Sequence, residues 1–155
     1  GERMDWIVQK STELGVTSLT PLYSEHAGVK LAGDRADKKI LHWQQIALSA
    51  CEQCGRNRPP VIHPLQAINL WLASTVAERK FVLHHRADSA GTGSAPASIA
   101  LLVGPEGGLS ESEIETAAQA GYAALRLGPR VLRTETAPLA AIALLQGWWG
   151  DMGPG

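Results

Sequence analysis

Several features that mark special classes of protein are scarce or absent in this chain. Its 155 residues include two cysteines, too few for a disulfide framework. No apolar run approaches the ~20 residues that a membrane-spanning helix needs, and the opening residues GERMD are too charged to begin a signal peptide. We therefore expect a soluble, cytoplasmic protein that does not associate with membranes.

Neither sign of charge dominates the sequence, with 14 lysines and arginines against 15 aspartates and glutamates. The whole chain therefore lacks the positive field of an autonomous nucleic-acid binder, so RNA or DNA binding needs a local patch or another domain. Hydrophobic residues make up 45% and charged residues 19%, which argues against intrinsic disorder, and 16 glycines with 9 prolines in no fixed period argue against a fibrous chain. The length favours one globular domain.

The two cysteines, Cys51 and Cys54, are three residues apart on a predicted helix, so their thiols are expected on one helix face. A redox pair or zinc site is the less favoured interpretation, because the chain has no second CxxC and its five histidines lie far away in the sequence. We expect no metal ion.

Apolar periodicity, caps and helix breakers divide the chain into alternating helices and strands. Helices are predicted over residues 3–14, 35–54 and 65–74, between Ser110 and Gly121, and over a final apolar segment that ends near Trp148 and Trp149. Strands are predicted over residues 16–23 (interrupted by Pro21), 61–63, 80–85, 99–103 and 123–127, and a flexible loop over 86–98. This alternation predicts an α/β fold with a mostly parallel sheet and flanking helices, in which ligands bind at the carboxyl ends of strands.

A first glycine-rich turn, GPEGG at 104–108, directly follows the apolar segment 99–103, which predicts a central strand buried on both faces. Ser110 and Glu113 then form a capping-box pattern that begins a helix. A ligand can approach the backbone of such a strand-to-helix turn, although a tight structural turn explains the glycines too. The turn is neither a dinucleotide fingerprint nor a phosphate-binding loop, since no Lys-Ser or Lys-Thr pair follows, which disfavours nucleotide hydrolysis.

A second glycine turn, GPRVLRTETA at 128–137, follows the predicted strand 123–127 and leads into the final helix, which Thr134 or Thr136 can cap. Each turn alone is a weak indication of function. Together they place two glycine-lined loops after two successive strands, where they can flank one pocket.

Four segments carry a resemblance to a known family. GPEGG at 104–108, LGPRVLRTETA at 127–137, ERMDWIVQKSTELGV at 2–16 and ACEQCGRNR at 50–58 closely resemble the RsmE family, which uses S-adenosylmethionine to methylate N3 of a uridine in 16S small-subunit ribosomal RNA. The resemblance implies a SPOUT-class domain over residues 1–155 with a deep C-terminal trefoil knot, a homodimer, and 16S rRNA or the small ribosomal subunit as partner. The family's N-terminal PUA-like RNA-binding domain is absent from these residues.

The resemblance also implies a pocket for S-adenosylmethionine. Carried over residue by residue, the pocket consists of Gly104, Glu106, Gly107, Leu127, Gly128, Val131, Leu132, Thr134 and Ala137, with Leu83 and His84 as additional candidates. Backbone groups are expected to dominate binding, while leucine and valine side chains sandwich the adenine. For His84, a surface or structural role is at least as good an explanation.

Methyl transfer is an in-line displacement, so positioning carries most of the catalytic burden. The uridine N3 proton must also leave. Arg133 is the candidate cation that stabilises the negative charge developing on the flanking carbonyl oxygens, with Arg130 in reserve. Glu106 is the weaker candidate base, because tying backbone amides of the loop together explains it more simply. Glu135 is explained by the helix terminus that follows it.

Basic side chains are the candidates for RNA contacts. Arg56 and Arg58 in the RNRPP turn, together with Arg130, are assigned to RNA binding, although a solvated turn explains the first two equally well. Three lysines are further candidates that a solvated helix face explains more simply: Lys30, Lys38 and Lys39.

Two alternative functions stay open. One is a SPOUT methyltransferase for another RNA site, because the cofactor pocket would look the same. The other is a non-catalytic, dimeric RNA-binding scaffold that keeps the fold without turnover.

Overall fold

The computed structural model describes residues 2–24, 33–84 and 93–153. The helices in these ranges are α1 Glu2–Glu13, α2 Asp34–Cys54, α3 Ile68–Ser74, α4 Glu111–Gln119 and α5 Ala137–Trp149. The strands are β1 Ser18–Leu19, β2 Leu22–Tyr23, β3 Val61–Ile62, β4 Gln66–Ala67, β5 Arg79–Leu83, β6 Ile99–Leu102 and β7 Ala123–Leu125. Every strand pair here is parallel, which confirms the predicted α/β fold with flanking helices. Within the described ranges, no helix has both the length and the apolar character needed to cross a membrane.

A first compact unit comprises Gly1–Trp71, and in it α1 packs against α2. Its buried core consists of Val8, Trp43, Ala47 and Ile62. Trp43 and Ala47 are four residues apart, so both lie on the face of α2 that meets α1 and β3. Gly55 ends α2 in the left-handed conformation, with φ of 84°, as the sequence predicts.

The predicted strand 16–23 is divided at Pro21. β1 pairs with β3 whereas β2 pairs with β4, so two short strands with different partners replace one. Pro21 has no backbone N–H to donate, and its carbonyl oxygen accepts a hydrogen bond from Gln66 N at 3.1 Å. Residues 66–67, at the start of the predicted helix 65–74, instead form β4, which pairs with β2. Helix α3 therefore begins at Ile68.

A second compact unit comprises Leu72–Gly155 and contains a three-stranded sheet in the order β6, β5, β7. The prediction that segment 99–103 is the central strand is wrong, because β5 is central and β6 has one neighbour among the described residues. Burial does not separate the two strands, since Leu102 of β6 and Phe81 of β5 are both fully buried, so the order rests on the pairing. An apolar run indicates burial, but strand order depends on pairing with distant segments.

Helix α5 packs against this sheet through a buried cluster that consists of Phe81, Leu125, Ala141 and Leu145. Near the end of α5, the Trp149 ring stacks on Phe81 with ring centroids 6.1 Å apart. Trp149 Nε1 also donates a hydrogen bond to Gly93 O at 3.3 Å. These contacts hold α5 against β5. His85 and residues 86–92 of the predicted flexible loop lie outside the described residues.

Candidate active site

The carboxyl ends of β5, β6 and β7 lie at one edge of their sheet because the three strands are parallel. Leu83 at the end of β5 lies opposite Leu125 of β7, and the next residue, His84, donates its backbone N–H to Leu125 O at 3.1 Å. The first loop (residues 103–110, after β6) and the second loop (residues 126–136, after β7) therefore leave this edge on either side of β5. The sequence predicted this juxtaposition.

The glycines of the first loop have different structural roles. At Gly104 an added Cβ would lie 2.9 Å from Leu109 Cγ, so the close approach of Leu109 requires glycine. Gly108 has φ of +80°, and its N–H donates to Pro105 O at 2.8 Å, which closes a tight turn. At Gly107 an added Cβ would have no heavy atom within 4 Å. The backbone at Gly107 therefore borders open space that a ligand can fill.

A capping box fixes the end of the first loop. Ser110 Oγ accepts a hydrogen bond from Glu113 N at 3.1 Å, and Glu113 Oε1 accepts one from Ser110 N at 2.9 Å. This pairing confirms the sequence prediction. Glu113 is only 3% exposed, and its Oε2 has no hydrogen-bond partner within the described part of the chain. The pattern of the sequence indicates the cap but not this burial.

The second loop is shaped by backbone hydrogen bonds. Gly128 has φ of +80°, and its carbonyl oxygen accepts a hydrogen bond from Arg126 Nε at 3.0 Å. Arg133 O accepts hydrogen bonds from Thr136 N at 3.0 Å and from Ala137 N at 2.9 Å, which form the turn into α5. As at Gly107, an added Cβ at Gly128 would have no heavy atom within 4 Å. The glycine is needed here for its backbone conformation rather than for space.

The prediction of a threonine side-chain cap on α5 is wrong. Thr136 stands at the N-cap position, but its φ of −89° and ψ of −42° are helical, and its side chain makes no cap hydrogen bond. A side-chain cap requires an extended backbone at this position. The Thr134 hydroxyl instead lies 3.4 Å from Glu135 Oε2, to which it donates.

The apolar candidates of the cofactor pocket differ in burial. Leu83 and Leu127 are half-buried and pack against the cluster under α5. Leu132 is half-buried as well, whereas Val131 is 90% exposed. The side chain of Val131 in the second loop is thus almost fully exposed, which is unusual for an apolar residue.

The candidate catalytic residues are exposed on the two loops. Arg130 and Arg133 lie on the second loop and Glu106 on the first. The fold thus brings cationic and anionic side chains onto loops that leave the same edge of the sheet. Their catalytic roles stay predictions.

Among the residues assigned to RNA contacts, Arg56 has a structural function that sequence reasoning missed. Its Nη1 donates to Thr12 O at 2.7 Å and its Nη2 to Val16 O at 3.0 Å. Thr12 O lies in the last turn of α1, where it also accepts a hydrogen bond from Gly15 N at 3.1 Å, and Val16 O lies just beyond the helix. Arg56 is 44 positions from Thr12 and 40 from Val16, so no local sequence pattern could have revealed these bonds. RNA binding by Arg56 stays a prediction and would have to use its remaining donors.

The other candidates for RNA contacts are more accessible. Arg58 and Lys38 are exposed and Lys39 is half-buried, while Lys30 lies outside the described residues. Nearby, the Cys51 thiol is buried and lies 3.8 Å from Arg58 O, and the Cys54 thiol lies 3.9 Å from Cys51 O.

Comparisons with known proteins show the family of the chain. The family model described as RNA methyltransferase domain matches residues 1–146. The chain belongs to this family. Among curated members, the ribosomal RNA small subunit methyltransferase E of Buchnera aphidicola (subsp. Schizaphis graminum) is 40% identical over 154 residues, which cover 97% of this chain and 63% of that protein. The protein of the same name from Bacillus subtilis is 36% identical, with coverages of 94% and 61%.

Solved members of the family have the same fold. The ribosomal RNA small subunit methyltransferase E of Neisseria gonorrhoeae, crystallised with S-adenosylmethionine, is 46% identical with a TM-score of 0.89, covering 99% of this chain and 64% of that one. A Legionella pneumophila methyltransferase solved with the same cofactor is 41% identical with a TM-score of 0.89, with coverages of 95% and 62%. The chain thus spans about three fifths of the length of these relatives. The resemblance to the RsmE family is confirmed.

Proposed function

We propose that this chain is the S-adenosylmethionine-dependent catalytic domain of an enzyme that methylates N3 of a uridine in 16S rRNA, in the cytoplasm. The observation that carries the proposal is the pair of glycine-rich loops on either side of β5. The likeness to two methyltransferases solved with this cofactor supports it. Residues 1–155 then form one SPOUT-like domain whose C-terminal segment is knotted and which acts as a homodimer. The family membership supports these finer features.

The residues at the carboxyl edge suit the cofactor. Gly107 leaves open space beside the first loop. The side chain of Val131 is exposed, so it offers an apolar surface to a ligand. Leu83 at the end of β5 and Leu127 in the second loop supply half-buried apolar surface. An adenine ring needs apolar contacts on its faces and backbone groups at its polar edge, and these residues can provide both.

The chain's own residues would act mainly by positioning. When bound, the cofactor supplies an electrophilic methyl group on a positively charged sulfur. The two loops would hold the cofactor, orient it toward the uridine and exclude water. For methyl transfer to N3, the N3 proton would have to leave, to Glu106 or to solvent. Arg133 stabilises the negative charge that develops on the uracil carbonyl oxygens.

Calorimetric titration with S-adenosylmethionine tests the proposal. The parent should bind, and Gly107→Val should not, because the valine fills the space beside the first loop without meeting any protein atom. Ala118→Val, on an exposed position of α4, is the matched control and should bind like the parent. Absence of binding by a folded parent would contradict the proposal.

Product analysis then identifies the reaction. Methylation of 16S rRNA followed by nucleoside digestion should give N3-methyluridine. A different methylated nucleoside would indicate a SPOUT enzyme for another RNA site. Cofactor binding without methyl transfer to any RNA would indicate the non-catalytic scaffold.

A further inference from the structure

A cavity of about 300 Å³ lies in the first unit, where α1 meets α2. Its lining residues are Asp5, Lys38, Lys39, His42 and Trp43. None of them belongs to the two glycine-rich loops. We propose that this cavity binds a phosphate group of the RNA backbone, an inference that rests on the proposed function.

The four lysines in the described part of the chain divide into two groups. Lys10 forms an ion pair with Glu13 at 3.0 Å, and Lys80 Nζ donates to Ala120 O at 3.2 Å. Lys38 and Lys39, in contrast, have neither an ion pair nor a hydrogen bond from their ammonium groups within the described ranges 2–24, 33–84 and 93–153. Both line this cavity. Among the described lysines, the two whose ammonium groups have no protein acceptor thus line the same cavity.

The carboxylate in the cavity is bonded to side chains other than these lysines. Asp5 Oδ2 lies 3.0 Å from His42 Nε2, and Asp5 Oδ1 accepts a hydrogen bond from Trp43 Nε1 at 3.0 Å. Lys39 Nζ lies instead over the Trp43 ring, 6.0 Å from its centroid. Each Asp5 oxygen thus has a partner other than these lysines, and the described residues supply no acceptor to the two ammonium groups.

The size and openness of the cavity suit a phosphodiester. Its volume of about 300 Å³ exceeds that of one phosphate group, so a phosphodiester can enter together with the sugar atoms on either side of it. The His42 side chain at its rim is 57% exposed and Lys38 is exposed, so a polymer can pass across the opening. Lysines at such a site add affinity without reading sequence.

The test uses the double variant Lys38→Gln/Lys39→Gln, with Lys10→Gln as matched control because Lys10 is already paired with Glu13. Binding to 16S rRNA is measured against salt concentration. The double variant should bind about 10-fold more weakly at low salt, and the slope of log affinity against log salt should decrease by about one to two units. Lys10→Gln should change the affinity by less than about 2-fold.

A second titration uses inorganic phosphate and follows the Trp43 indole signal by NMR. A signal change in the parent that is lost in the double variant, together with weaker RNA binding, supports the inference. Phosphate binding with unchanged RNA affinity overturns it, because the site would then serve free phosphate. Equal RNA affinity in parent and double variant overturns it as well.

Failure of the proposed function would look different. In that case the parent would not bind S-adenosylmethionine, whatever the result with RNA. If the parent binds the cofactor and both lysine variants bind it equally, the RNA titration reports on the cavity alone.

Discussion

The first and second loops both contain a glycine followed directly by a proline, leave the same edge of the sheet and lead into a helix. The first loop ends in a reciprocal capping box, with Glu113 buried beneath it. The second loop enters α5 at Thr136 without a side-chain cap and leaves Val131 90% exposed. The chain's own side chains thus fix the first loop, whereas we infer that the second is completed by what binds to it.

Arg133→Ala should have the largest effect. If Arg133 of the second loop stabilises charge in the transition state, kcat should fall by about 100-fold while the cofactor dissociation constant changes little. Arg130→Ala, the matched control on the same loop, should mainly raise KM for RNA. Single-turnover methylation of 16S rRNA separates the two effects. An unchanged kcat in Arg133→Ala would remove this residue from the catalytic assignment.

Gly104→Val should lower the free energy of unfolding by about 1–3 kcal/mol, because its side chain would collide with Leu109. Gly107→Val on the same loop should leave stability within about 0.5 kcal/mol of the parent. Urea unfolding monitored by circular dichroism checks both values. An equal decrease in the free energy of unfolding for both variants would contradict the distinction between a packed Gly104 and an open Gly107.

Glu113→Ala should destabilise the protein by about 1–2 kcal/mol through loss of the capping box. Thr136→Ala should cost less than about 0.5 kcal/mol, since the Thr136 side chain makes no cap hydrogen bond. Glu113→Gln retains an oxygen for Ser110 N and controls for the loss of charge. If Thr136→Ala were the more damaging change, the contrast between the loops would be wrong.

Val131→Ala should leave the free energy of unfolding unchanged within about 0.5 kcal/mol, since the side chain is 90% exposed. The affinity of the variant for S-adenosylmethionine should fall by about 5-fold, because Val131→Ala removes two methyl groups that would be partly buried against the cofactor. Calorimetry measures the affinity. A loss of stability without a loss of affinity would mean that Val131 packs within the protein.

Asp5, which lies on α1 outside both loops, affects the dependence of stability on pH. The hydrogen bond from His42 lowers the pKa of Asp5 below 3.8, against the opposing effect of burial, and Trp43 adds to the lowering. The folded state therefore binds fewer protons than the unfolded state at acid pH, so this contribution to stability is present above pH 3.8 and is lost as the pH falls through the folded pKa.

In urea titrations from pH 6 to pH 2, Asp5→Asn should show a shallower acid loss of stability than the parent. Cofactor affinity at neutral pH should not change. Identical acid profiles would contradict this role of Asp5.

Most helices and the cap at Ser110 could be predicted from the sequence, because they depend on interactions between residues a few positions apart. The periodicity predicted α2 to within one residue at its start, and Ser110 with Glu113 predicted the capping box. The second cap failed because the backbone angles at Thr136 follow from the turn at Arg133 rather than from residue type. The motifs of the two loops also identified the family.

What only the tertiary structure decided involves residues far apart in the sequence. The order β6, β5, β7 and the division of segment 16–23 at Pro21 depend on strand pairing, which a local pattern does not encode. Arg56 reaches Thr12 O over 44 positions, and His42 reaches Asp5 over 37. Composition and periodicity define which segments become helices or strands. Long-range packing and hydrogen bonding determine which charged side chains are engaged and which stay available for a ligand.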